Sequence, residues 1–252
     1  MTDRPEPRDE RTHQRGDQLA SRLRAVRERI AAAVQSCGRP PDSVGLVAVS
    51  KRMPPADVLA ALSAGQRDFG ENYAQELRDK RTAVAGASAA GAATRWHFIG
   101  PLQANKVKYI AGKVALVHTV DSVALLDEID RRAAGAGAAT PQACLIQVNV
   151  AGEERKHGVA PRDLPALLDR FAALAHVHCE GLMLIPPLSD DPQGARPHFA
   201  ALRALRDDQR GHARPHVELR HLSMGMSHDF EVAITEGATL VRVGTAIFGD
   251  RS

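Results

Sequence analysis

The chain is short of the residues on which several protein classes depend. It has 3 cysteines in 252 residues, Cys37, Cys144 and Cys179. The number is odd and no CxxC spacing occurs, which excludes a disulfide framework and a cysteine-built zinc site. Buried thiols in a reducing cytosol are the expectation. Charge of one sign is also scarce. Lys plus Arg number 33 and Asp plus Glu 30, a net of +3, so composition demands neither a nucleic acid nor a membrane surface as partner. No apolar run approaches the roughly 20 residues that a membrane helix requires. Residues 1–16 carry four Arg and four acids and, after Met1, no apolar side chain. That composition is not a signal peptide, and it predicts a solvated, disordered tail. No His/Asp/Glu cluster has metal-ligand spacing, so no metal is expected.

What is present is an alternation. From Asp17, a plausible N-cap, Leu19, Leu23, Val26, Ile30 and Val34 recur at spacings of three and four, the mark of a helix with one apolar face. Gly38 and Pro40-Pro41 end it. VGLVAV at 44–49 is apolar on both faces, as a buried parallel strand should be. Pro54-Pro55 opens a second helix, which Gly65 closes. Further apolar runs fall near 67–69, 95–99, 115–119, 143–150, 179–184, 219–222 and 239–243, mostly separated by helical patterns. The clearest of these combines Leu164, Leu167, Leu168, Phe171 and Leu174. Alanine- and glycine-rich stretches at 83–94 and 133–140 read as connections.

Eight strands alternating with helices in about 250 residues fit a single closed (β/α)8 TIM-type barrel. Residues 17–252 form that domain in this reading, with the N-terminal helix filling the place of a missing last helix. An open doubly wound sheet would usually carry a glycine-rich turn after the first strand. Here the turn reads SKRMPP.

Barrel chemistry gathers at the C-terminal strand ends. Those ends carry Ser50-Lys51, Gly70-Glu71-Asn72, Ile99-Gly100, His118-Thr119, Asn149, Met183, the run Ser223-Met224-Gly225-Met226-Ser227, and Val243-Gly244-Thr245. The last two lie where barrels often bind phosphate. Glycine lets backbone N–H groups approach an anion, and a following helix N-terminus favours negative charge. Lys51, partly desolvated at a strand end, would be a nucleophilic amine suited to a Schiff base with an aldehyde. A lysine snorkelling to solvent is the plainer alternative. Arg242, inside the eighth strand, must point into the barrel mouth or pair with an acid such as Glu231 or Asp229. His97 and His118 either line the site or are satisfied structural histidines. Met224 and Met226 could pack around a ligand ring, whereas Met183 suits the core. Lys106, Lys108 and Lys113 read as a solvated helix face.

The segments LVAVSK ending at Lys51, FGENY at 69–73, WHFIGPLQANK at 96–106, VHTVDS at 117–122, IQVNV with KHG at 156–158, GLMLIP at 181–186, LSMGMSHDFEVAI at 222–234 and VRVGTAIFG at 241–249 together resemble the pyridoxal 5'-phosphate (PLP) homeostasis protein family, the YggS/PROSC type. The resemblance runs from about Asp17 to Asp250. It implies a fold like the N-terminal barrel of alanine racemase, with PLP on Lys51 as a Schiff base. It implies cofactor contacts from Asn72, a phosphate cradle of Ser223, Gly225, Gly244 and Thr245, and Arg242 at the pyridine nitrogen. It also implies a cytoplasmic, monomeric protein that balances PLP, with PLP-dependent apo-enzymes as candidate recipients, without established turnover. Departures from the family pattern are His157 and His228, the alanine-rich 83–94 and the extra tail, none expected to touch the site. Lys156 is a candidate for a secondary role at the mouth.

Two enzymatic alternatives remain at this stage. An amino-acid racemase needs acid/base groups on both faces of its substrate, and Tyr73 and Tyr109 are the only tyrosines. A cofactor-free Schiff-base aldolase acting on a sugar phosphate would also use a lysine and a phosphate cradle.

Overall fold

The computed structural model describes residues 7–137, 140–153 and 157–249, with side chains from residue 13 onward. Lys156 lies outside the described residues. Eight strands close into one parallel barrel in sequence order. They are β1 (Gly45–Val49), β2 (Asp68–Glu71), β3 (Arg95–Phe98), β4 (Leu116–Val120), β5 (Gln142–Gln147), β6 (Val177–Met183), β7 (Val217–Ser223) and β8 (Leu240–Val243). Closure is direct: Gly45 to Ala48 pair with Leu240 to Val243. The (β/α)8 expectation therefore holds, and each strand lies within a few residues of its expected place.

The helices are α1 (Pro7–Ser36), α2 (Pro55–Ser63), α3 (Ala74–Ala87), α4 (Ala89–Ala92), α5 (Val123–Gly135), α6 (Leu164–Ala172), α7 (Arg196–Arg210), α8 (Phe230–Thr235) and α9 (Thr245–Phe248). A 3-10 helix, Ala104–Tyr109, replaces an α-helix between β3 and β4. In α1, Leu19, Leu23, Val26, Ile30 and Val34 are all buried. Each such side chain contributes about 1.5–3 kcal/mol. The helix packs on α2, α8 and α9, the place left by the short last helix.

Two expectations need correction. The first helix begins at Pro7, not near Asp17, so the backbone of residues 7–16 is helical. Arg15 is tied down: its Nη2 bonds Asp57 Oδ2 at 2.7 Å and the Phe248 carbonyl at 2.8 Å. Composition showed no apolar anchor there, and the anchor is ionic. The 83–94 stretch is also mostly helical, in α3 and α4. Alanine is the best helix former, and Ser88 caps α4 by accepting the Gly91 N–H.

Candidate functional site

The rim at the C-terminal strand ends holds a cavity of about 250 Å³, close to the low end of small-ligand pockets (roughly 300–1,000 Å³). Lys51, Asn72, Arg242, Gly244 and Thr245 line it. Five of the seven residues implied by the family resemblance thus meet in one place. A larger groove of about 510 Å³ lies at Arg95 and Ala115, the N-terminal ends of β3 and β4, where barrels place stability rather than chemistry.

Lys51 is half-buried in the turn after β1, and a buried polar cluster fixes the backbone beside it. Ser50 N–H donates to the Gly70 carbonyl at 3.0 Å. Ser50 Oγ donates to Glu71 Oε1 at 2.7 Å. Lys80 Nζ reaches the Ser50 carbonyl at 2.7 Å, Glu71 Oε1 at 2.6 Å and Glu76 Oε1 at 2.8 Å. Burial pushes the Glu71 carboxyl up, against the pull of Lys80 and Ser50. Asn72 follows β2 on the facing wall. Its Oδ1 is buried without a hydrogen-bond partner, an acceptor that an incoming donor would satisfy. Leaving such a group unpaired costs about 1–3 kcal/mol.

Arg242 is 4% exposed. Its Nη1 donates to Ser223 Oγ at 2.6 Å and its Nη2 to the Leu184 carbonyl at 2.9 Å. Neither acid considered as its partner bonds it. Glu231 pairs with Arg29, and Asp229 Oδ1 accepts the Met226 N–H at 2.6 Å. Burial lowers the Arg242 pKa to about 10, with Asp229 opposing. The group therefore stays cationic at neutral pH beside the cavity. A buried cation held by neutral acceptors, next to an unpaired amide oxygen and a lysine, fits a ligand with its own acceptor, donor and carbonyl.

Ser223 and Gly225 stand behind the cavity wall. Ser223 is fully buried, its Oγ engaged by Arg242 and by His118 Nδ1 at 2.8 Å. Gly225 has φ +91°, and a Cβ there would meet Ala233 Cβ at 2.6 Å. Its carbonyl accepts the Arg242 N–H at 3.0 Å. Ser223 thus supports Arg242, and Gly225 supports both Arg242 and the close seating of α8. The serine of this run that lines the cavity is Ser227, whose hydroxyl accepts the N–H groups of Gly244 at 3.2 Å and Ala246 at 3.4 Å. Ser227 lies four residues after Ser223 in the same run, so the sequence signal was present but ambiguous.

His228 also lines the cavity, with Nε2 at 3.0 Å from the Asp190 carbonyl. It was expected to stay clear of the site. Ile99, Ile185 and Met226 add apolar wall. Of the methionines, Met226 faces the cavity, while Met224 and Met183 are fully buried in the core. His157 stands 3.4 Å from Asp121.

This geometry defines a barrel of the alanine racemase N-terminal kind. The family model described as "Alanine racemase, N-terminal domain" matches residues 21–252. The pyridoxal phosphate homeostasis protein of Aquifex aeolicus is 46% identical over 231 residues, covering 91% of this chain and 97% of that protein. Its Escherichia coli K12 namesake is 39% identical over 238 residues, covering 92% and 97%. PipY of Synechococcus elongatus PCC7942, solved with PLP bound, superposes with a TM-score of 0.78 at 36% identity, covering 92% of this chain and 100% of that one. The chain belongs to the pyridoxal phosphate homeostasis protein family. Alanine racemase of Corynebacterium glutamicum, at 17% identity, 62% coverage of that chain and a TM-score of 0.65, shares the fold.

Proposed function

We propose that this protein binds PLP in the rim cavity, as a Schiff base on Lys51, and serves PLP homeostasis without catalytic turnover. Arg242 is the observation that carries the reading: a buried, cationic donor at the cavity, beside Lys51, with no acid bonded to it. The 36% identical PipY, solved with PLP bound, supports the same cofactor.

Bound PLP supplies an aldehyde for an amine and a ring able to accept electrons. Lys51 is the amine. Arg242 only donates hydrogen bonds, so it would hold a facing ring nitrogen unprotonated, which would make the ring a poor electron sink. Gly244 and Thr245, with Ser227, line the cavity and would meet the phosphate. Ser223 and Gly225 act behind them. Asn72 Oδ1, buried without a partner, would accept from the ligand's polar edge.

The non-catalytic reading rests on what faces the cavity. Racemisation needs a second acid/base group. Tyr73 is 47% exposed and bonded at its hydroxyl by Arg52 Nη2 at 3.1 Å, and Tyr109 lies among Arg78 and Lys108. Neither lines the cavity, and His228, the titratable group that does besides Lys51 and Arg242, has its Nε2 engaged by the Asp190 carbonyl at 3.0 Å. Among the described residues no helix is long and apolar enough to cross a membrane. A cytoplasmic monomer that exchanges PLP with apo-enzymes completes the proposal, with residues 17–252 as the binding domain.

The test is turnover. The purified protein should absorb in the visible and yield no racemised or transaminated product with any common amino acid. Steady racemisation, abolished by Lys51→Ala, would establish the enzyme instead.

A further inference from the structure

A line of five side chains runs through the barrel interior from Arg242 toward the opposite end. Arg242 Nη1 lies 2.6 Å from Ser223 Oγ, and Ser223 Oγ lies 2.8 Å from His118 Nδ1. His118 Nε2 lies 2.9 Å from His97 Nδ1, and His97 Nε2 lies 3.0 Å from Asp68 Oδ1. The five come from β8, β7, β4, β3 and β2. Ser223 and His118 are fully buried and His97 is 5% exposed. Asp68 opens β2, where Arg95 also bonds it.

The two ends fix the direction of the line. A guanidinium can only donate and a carboxylate can only accept. Ser223 Oγ accepts from Arg242, so its own hydrogen goes to His118 Nδ1. His118 must then carry its proton on Nε2 and give it to His97 Nδ1. His97 in turn carries its proton on Nε2 and gives it to Asp68. Each of the three inner members, Ser223, His118 and His97, accepts on the Arg242 side and donates on the Asp68 side. Burial, with His97, Arg242 and His221 nearby, holds the His118 pKa well below its ordinary value, so one proton on that ring is the expected state.

We propose that Asp68, His97 and His118 are positioning residues for Arg242, forming a one-way hydrogen-bond relay that links the guanidinium to a carboxylate across the barrel and fixes its donors toward the ring nitrogen. The proposal rests on the PLP reading of the rim cavity. If the line reversed, His118 Nδ1–H and Arg242 would both donate to Ser223 Oγ. The serine hydrogen would then have no acceptor among the described residues. A buried group in that state is costly, and Arg242 is the member with room to move, because it borders the cavity.

Two measurements test the relay. The first uses the wild-type protein without cofactor, by nitrogen-15 imidazole NMR at neutral pH. Both His97 and His118 should be neutral with the proton on Nε2. A proton on His118 Nδ1 would overturn the proposal. The second uses the PLP-loaded protein. Asp68→Asn, whose amide can donate as well as accept, should mix the tautomers, shift the visible absorption band and speed PLP loss about fivefold or more, the effect of roughly 1 kcal/mol. Asp68→Glu should restore part of the wild-type spectrum. Arg95→Gln, which removes only the outer partner of Asp68, should leave tautomers and spectrum unchanged. Wild-type tautomers and spectrum in Asp68→Asn would reduce the line to core packing. A protein that takes up no PLP defeats the cofactor reading while leaving the NMR result standing, so the two failures are distinguishable.

Discussion

Gly100 packs so tightly on Asn72 that a Cβ at residue 100 would lie 2.2 Å from the Asn72 carbonyl oxygen. The end of β3 is thereby pressed against the residue whose side-chain oxygen waits unpaired at the cavity. Thr119 Oγ1 holds Gly100 from the other side, donating to its carbonyl at 2.7 Å. Gly100→Ala must push the two strand ends apart. Overpacking of this kind costs about 1–3 kcal/mol. PLP titration of the variant should show weakened binding, with the melting temperature lowered but cooperative unfolding kept. Unchanged affinity would mean that Asn72 does not contribute to the site.

Arg15 makes the N-terminal segment part of the barrel. Its guanidinium satisfies Asp57, which is 6% exposed, and the carbonyl of Phe248 at the end of α9. Arg15→Ala, or deletion of residues 1–16, should destabilise the protein by about 1–3 kcal/mol, because Asp57 loses the donor that satisfies it. PLP binding should be nearly unaffected. Denaturant unfolding monitored by circular dichroism measures the first effect, and cofactor titration the second.

The barrel was legible in the sequence because its strands are short apolar runs separated by helix-period patterns, and their number and spacing leave few architectures open. Lys51, Asn72 and Arg242 were legible because strand ends are where barrels concentrate polar groups. Ser223 and Ser227 were not separable in the same way. Which hydroxyl faces the cavity depends on where β7 ends and how Gly225 turns the chain, and the two serines sit in one glycine-containing run. His97 and His118 were visible as histidines near strand ends. Their bond to each other depends on the register of β3 against β4, where His97 aligns with Leu116, and composition does not set that register. The role of Arg15 was hidden for a similar reason: Asp57 is 42 residues away in sequence.

Acid should expose the outer end of the relay. Burial pushes the Asp68 carboxyl up, but hydrogen bonds from His97 and Arg95 and the positive charge of Arg95 outweigh it and hold the group at about 2. An unfolded aspartate titrates near about 3.9. The folded value is depressed, so this contribution to stability is present above about pH 4 and is lost as pH falls toward about 2. The size is about 1–2 kcal/mol, allowing for partial solvent screening. Unfolding free energies measured across that window should fall less steeply in Asp68→Asn than in the wild type. Parallel curves would show that the ion pairs of Asp68 do not stabilise the fold.

Ser227 tests the phosphate end. Its hydroxyl accepts from the Gly244 and Ala246 N–H groups, so Ser227→Ala removes an organiser of that turn as well as a donor to an anion. PLP affinity should fall by roughly tenfold, the equivalent of about 1.4 kcal/mol, while affinity for pyridoxal, which has no phosphate, changes little. Equal losses for both compounds would place the phosphate elsewhere.

The central claim is that PLP sits on Lys51, and borohydride reduction followed by peptide mapping tests it most directly. Reduction of the PLP-loaded protein should fix one pyridoxyl group on Lys51. In Lys51→Ala the covalent label should disappear while weaker, reversible PLP binding through the phosphate end persists. A label on another lysine, or none on the wild type, would contradict the account.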